Sequence, residues 1–424
     1  MNLNCDLAII GAGPAGLSVA LEARKNGIEN ILILERDRYL GGILPQCIHN
    51  GFGLHYFREE LTGPEYADRF ISQIMWNHIE VKTETMVIKI TPEKEIIALN
   101  PKDGLLNIRP RAIALAMGCR ERTREAIRIP GSRPAGIFSA GTAQRYINIE
   151  GYIPGRKIVI LGSGDIGMIM ARRFALEGAK VKMVLEIMPY TTGLIRNKVQ
   201  CLDDFNIPLR FNYTIVRIEG EKRVEKVVIS RVDKNLIAIP NTEEIILCDT
   251  ILFSVGLIPE NELSLEMGIQ LSPVTGGAIV NENRETGIKG IFACGNVLHV
   301  HDLVDFVSEE GEIVGRAVSK YLNQKTKYRS HTINLVPSNP ISYVIPQHID
   351  YIDSERKKIK LFMRVQKPIE KANIIFQDEK RNTIISYTKK MLTPGEMISL
   401  YLPEKLIQKD IKILNISIKE VNQE

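Results

Sequence analysis

Residues 6–35 read DLAIIGAGPAGLSVALEARKNGIENILILE, and residues 157–186 read KIVILGSGDIGMIMARRFALEGAKVKMVLE. Each stretch is an apolar strand, a GxGxxG turn, a helix with small residues on one face, a glycine, a second apolar strand and a terminal glutamate. The spacing is the same in both, from Gly11 to Glu35 and from Gly162 to Glu186. One glycine turn alone is a weak signal. Two βαβ units in register form an internal repeat, and that repeat decides the fold class: α/β, with two nested Rossmann-like three-layer dinucleotide-binding domains.

The glycines have separate physical tasks. Gly11 permits a tight turn, Gly13 lets the backbone approach a pyrophosphate, and Gly16 lets helix and strand pack closely; Pro14 and Ala15 complete the turn. A pyrophosphate placed there meets backbone N–H groups at a helix N-terminus, where the dipole favours negative charge. Glu35, followed by Arg36, ends the second strand and is placed to accept from ribose hydroxyls. Gly162, Gly164, Ile166, Gly167 and Glu186 repeat this logic for a nicotinamide dinucleotide. A 2′-phosphate beside Glu186 meets like charge and no arginine directly follows it, so NAD(H) is expected over NADP.

The rest of the chain assigns FAD to the first turn. Gly41 and Gly42 let a loop pass close under the flavin-side phosphate. The segment GIFACGN brings Gly295 and Asn296 to the ribityl region and precedes a helix, expected over about Asp305–Leu322, whose N-terminus is aimed at the flavin. The order of the segments implies an FAD-binding domain over 1–125 and 277–325, an NAD-binding domain over 126–276 and, from 326 to 424, a small all-β domain of sandwich type. The last is read from short β-rich runs separated by turn residues, Ile341–Ile349, Ile359–Val365 and Met397–Leu402 among them.

These motifs, in this order over residues 4–322, resemble the pyridine nucleotide–disulfide oxidoreductase superfamily. The resemblance rests on GAGPAG, ERD with the following GG, the ALAMG strand (Ala116, Met117, Gly118), GSGDIG, FSVGLIP (Gly256 bordering the nicotinamide) and GIFACGN. Closer still, GCRERTREAIRIPGSRPAGIFSAGTAQ resembles the FAD/NAD subunits of sarcosine oxidase, hydrogen cyanide synthase and opine dehydrogenase. LPQCIHNGFGLHYF resembles flavoproteins associated with glycerol-3-phosphate dehydrogenases. Two departures stand out: the family's usual Gly-Asp is Gly295-Asn296, and its usual Ala-Thr-Gly is Ala116-Met117-Gly118.

The resemblance implies an FAD-dependent NAD(H) oxidoreductase, an oligomer and electron-transferring subunit that exchanges electrons with a partner dehydrogenase acting on glycerol 3-phosphate, an amine or an amino acid. Two alternatives stand beside it. In one, a stand-alone NADH oxidase or peroxidase uses Cys47, with His49 lowering its pKa. In the other, the β domain serves to assemble a complex. The 6 cysteines are scattered and form no CxxC pair, so a dithiol mechanism is not expected. His55 is a further candidate for the flavin or substrate edge, and helix capping accounts for Asp302 and Asp305. The pair His299 and His301 lacks further ligands in sequence, so no metal is expected.

A hydrophobic fraction of 44% and a charged fraction of 25% allow a large core. The net charge of +5 comes without a dense basic block, which argues against nucleic acid. The apolar runs are too short to span a bilayer and the N-terminus leads into a glycine turn rather than a cleavage site, so a cytoplasmic location is expected.

Overall fold

A computed structural model describes residues 1–325, 327–352, 358–407 and 411–421. Its chain divides into two compact units, residues 1–119 with 259–424 and residues 120–258. In the first, a parallel sheet runs in the order Glu80–Lys82, Ile31–Leu34, Asn2–Ile10, Gly104–Leu115, Ile291–Ala293. The central strands are apolar on both faces, as a sheet covered on both sides requires. Leu7, Ile9, Ile31 and Ile33 pack under the helices, while Ala8, Ile10, Leu32 and Leu34 pack on the opposite side. The N-terminal half of Gly104–Leu115 also carries an antiparallel meander, Met86–Ile90 and Ile96–Asn100.

The second unit repeats the plan, with five parallel strands in the order Ile137–Ser139, Thr250–Phe253, Lys157–Leu161, Lys180–Glu186, Leu209–Phe211. A three-stranded antiparallel sheet, Tyr213–Glu219, Lys226–Arg231 and Glu244–Leu247, lies in the same unit. The return to the first unit falls at Pro259, earlier than the expected residue 277. Met267, Ile269, Ala278 and Val280 are the reason: all four are buried in the core of the first sheet.

From Lys327 onward, a five-stranded and a three-stranded sheet enclose one apolar core, with Ile333, Leu335, Ile374, Phe376, Leu414 and Ile416 facing Val344, Leu361, Met363 and Leu400. The C-terminal region is thus β-rich, two sheets packed over a shared core. It is not a detached appendage, because Ile345, Phe362 and Met397 belong to the core of the first sheet. Among the described residues no helix is long and apolar enough to cross a membrane.

Candidate functional site

The helix Pro14–Lys25 starts from Gly13 with proline in its first turn, no acidic residue there and no side-chain cap. Its first N–H groups, which have no intrahelical partners, are therefore left to bind an anion. The glycines above it are dictated by space. A Cβ on Gly11, whose φ is +103°, would lie 2.5 Å from the carbonyl oxygen of Ala116, and one on Gly16 would lie 2.0 Å from that of Gly11. Gly13 is open apart from Gly42, whose Cα would be 3.9 Å from an added Cβ. Gly41 donates its N–H to the Ala12 carbonyl at 2.8 Å, which brings the Gly-Gly loop over the turn.

Glu35 is buried, and its two oxygens are divided. One accepts from the N–H of Ala12 at 2.7 Å and the other from the N–H of Asp37 at 2.8 Å. An open depression lined by Arg36, Asp37, Arg38, Glu84 and Pro101 lies beside it. Gly295 (φ +72°) completes the cradle: a Cβ there would come within 2.8 Å of Ala15. The Asn296 amide accepts from the N–H of His301 at 3.0 Å and donates toward Cys119 Sγ at 3.5 Å. Ala116 and Met117 extend from the end of the neighbouring strand, and Gly118 (φ +73°) has open space around it.

In the second unit the wiring recurs position for position. Glu186 accepts from the N–H of Ser163 at 2.9 Å and from that of Met188 at 3.0 Å. Ser163 Oγ adds a bond of 2.5 Å and Thr192 Oγ1 one of 3.2 Å. A Cβ on Gly162 would meet the Ser254 carbonyl oxygen at 2.1 Å, one on Gly164 would meet Ser254 Oγ at 2.9 Å, and one on Gly167 would meet Ser254 Cβ at 2.6 Å. Ser254 Oγ accepts from the Gly167 N–H at 3.1 Å. Ile166 follows in the first turn of the helix, partly buried against its core, and Gly256 has φ +103°. Asp165 also stands in that first turn, but its carboxylate is turned to the Leu194 N–H at 2.8 Å and Asn197 Nδ2 at 2.6 Å.

The cysteine alternative meets an unfavourable setting. Burial pushes the Cys47 thiol up to about 12, and its Sγ donates to the Ile43 carbonyl at 3.4 Å. His49 lies against Phe52, ring centroids 4.9 Å apart. The His55 ring stacks on Phe306 at 6.1 Å, and the backbone N–H of His55 donates to the Asp305 carboxylate at 3.4 Å. Burial raises the pKa of Asp305, opposed by the N–H groups of His55 and Tyr56.

His299 and His301 are buried. The structure brings Glu310 to them, and the three ligand atoms lie within 4.8 Å of one another. Burial lowers the pKa of both histidines, well below the usual range for His301. Burial pushes Glu310 upward, but His299 and Arg284 outweigh it and hold the carboxylate ionised. Ser163, Thr192, Ser254, Arg284 and Glu310 did not stand out in the sequence. Ser163 and Ser254 had a signal, being inside GSG and FSVG. Arg284 and Glu310 had none, since nothing in the chain marks two residues that far apart as a pair.

Residues 5–319 match the pyridine nucleotide-disulphide oxidoreductase family, and the chain belongs to it. Its members are FAD-dependent pyridine nucleotide oxidoreductases. The hydrogen cyanide synthase subunit HcnB of Pseudomonas protegens is 23% identical over 282 residues, covering 62% of this chain and 58% of that protein. The NAD(P)H sulfur oxidoreductase (CoA-dependent) of Pyrococcus abyssi is 23% identical over 312 residues, covering 70% and 64%. The chain thus spans about three fifths of the length of these relatives. The crystal structure of T. acidophilum thioredoxin reductase superposes with a TM-score of 0.61 at 21% identity, over 75% of this chain and 98% of that one, a likeness of fold.

Proposed function

We propose that this protein is an FAD-dependent NAD(H) oxidoreductase that carries electrons between NAD(H) and a partner dehydrogenase subunit acting on glycerol 3-phosphate, an amine or an amino acid. The observation that carries the reading is the pair of glycine turns, each with a buried carboxylate bonded to the turn's own N–H and to the residue two positions on. FAD supplies hydride acceptance and release when bound. The residues of the first turn hold its pyrophosphate and adenosine ribose, Gly295 and Asn296 meet its ribityl side, and Glu186 selects the unphosphorylated ribose of NAD(H).

No acid or base is needed for the hydride step itself, only alignment of the two rings. The partner reading is supported by the absence of a CxxC pair and by the likeness to a protein named as a subunit. Cys47 as a peroxide-reactive thiolate is disfavoured, since a thiol pushed that high is protonated at neutral pH.

Anaerobic titration of the purified yellow protein with NADH and with NADPH tests the reading. NADH bleaches the flavin at lower concentration than NADPH. If neither does, the proposal fails.

A further inference from the structure

Alternate residues of the strand Lys358–Val365 address one loop and the helix after it. Lys360 Nζ donates to Glu309 at 2.7 Å. The Phe362 ring lies 5.4 Å from His299 and 5.5 Å from His301. Arg364 Nη2 donates to the Val300 carbonyl at 3.1 Å and to Asp302 at 3.2 Å. Residues two apart on a strand share a face, so one face of the C-terminal sandwich covers 299–309, the segment that follows Gly295 and Asn296.

Behind that face sits a buried ion pair. Arg284 Nε donates to Glu310 at 2.7 Å, both side chains are 0% exposed, and the other Glu310 oxygen accepts the N–H of Gly295 at 2.9 Å. Arg284 also reaches the sandwich, where Nη2 donates to the Lys360 carbonyl at 3.4 Å. Its backbone has φ +62°, a conformation costly for a side chain with a Cβ, and its carbonyl accepts from Ala293, two residues before Gly295. A strained backbone and a fully desolvated charge are two costs spent on one position.

We propose that Arg284 and Glu310 are positioning residues for the flavin, and that the C-terminal sandwich, through Lys360, Phe362 and Arg364, is a structural part of the FAD site. This rests on the FAD reading above. Glu310 holds Gly295 by its N–H, and Arg284 holds Glu310. The strand Lys358–Val365 fixes the segment from the far side. The guanidinium supplies the positive charge that a cation would bring, so Arg284 and Glu310 form an ion pair beside the two histidines in place of a metal centre.

The test uses the full-length holoenzyme. FAD release is followed by flavin fluorescence, and the midpoint potential is measured, for Glu310→Gln, Arg364→Met and the double variant Arg284→Met with Glu310→Gln. The double variant removes both charges together and so keeps the test open where the lone buried Arg284 charge left by Glu310→Gln prevents folding. Expected are FAD release about tenfold faster in the double variant and in Arg364→Met, from loss of hydrogen bonds to charged groups, and a raised potential in Glu310→Gln, which loses a negative charge. Release within twofold of the native rate in a folded double variant overturns the inference, as does an unchanged potential in a folded Glu310→Gln. A transition metal bound one per chain and lost with Glu310→Gln also overturns it. A native chain that holds no FAD at all would sink the functional reading instead, so the two failures are distinct.

Discussion

The two glycine turns share a carboxylate wired in the same way and differ in everything that closes over it. At the first, Gly42 and Gly295 press from two sides and no acid stands in the first helical turn. At the second, Ser254 packs under the glycines, Asp165 stands in the first helical turn, and residues 192–197 fold back on the turn through Ser163 and Asp165. The shared part is what a dinucleotide demands of any backbone. Among the closing parts, Gly295 and Ser254 come from distant segments of the chain, and under the proposed function the closing parts decide which dinucleotide is held.

The comparison breaks most sharply at the third glycine. Gly16→Val drives a side chain into a carbonyl 2.0 Å away, and the protein should be isolated colourless, with under about a tenth of the native flavin. Gly167→Val meets Ser254 at 2.6 Å instead, and that variant should stay yellow and fail to be bleached by NADH. A colourless Gly167→Val would show that the turns are not assigned as proposed. Next in size, Glu186→Ala should raise the KM for NADH by about 10- to 100-fold, the worth of a hydrogen bond to a charged group, while flavin content is unchanged. Steady-state kinetics with flavin absorbance read both at once.

A smaller effect concerns Asp305. Its pKa is raised by burial, so the protonated form is favoured in the folded state, and the stability this carries is lost as pH rises above the ordinary carboxylate value of about 4. Asp305→Asn should gain in melting temperature over the native protein from pH 4 to pH 8, as seen by thermal scanning. A gap that narrows over that range would contradict the assignment. Smallest of all, Cys47→Ser should leave NADH–dye turnover within about twofold, because the thiol is protonated at neutral pH.

Much of this was legible in the sequence because local backbone geometry imposes it. Gly11, Gly16, Gly162 and Gly167 are forced by contacts of under 3 Å, and Glu35 and Glu186 stand at strand ends whose register the period of apolar residues already set. The β-rich character of the C-terminal region was legible too, since strands such as Ile413–Glu420 alternate half-buried and buried positions over their first half. The boundary at Pro259 was not. Met267 and Val280 are as apolar as any core residue, and only the tertiary structure says whose core they join. The role of His299 and His301 was not legible for the same reason. Their neighbours Arg284, Glu310 and Phe362 come from a loop, a helix and a strand far apart in the chain, and no local pattern links them.

The face presented by Lys360, Phe362 and Arg364 also sets an order of events during synthesis. The strand Asn2–Ile10 leaves the ribosome before the second unit, and the loop at Gly295 follows only after the whole of that unit. The strand that covers that loop emerges later still. Domains made early fold early, so residues 120–258 can be complete while the first glycine turn still waits for its cover. On the FAD reading proposed above, the nascent chain can retain the coenzyme firmly only once the strand Lys358–Val365 has emerged and docked, so loading follows the folding of the second unit.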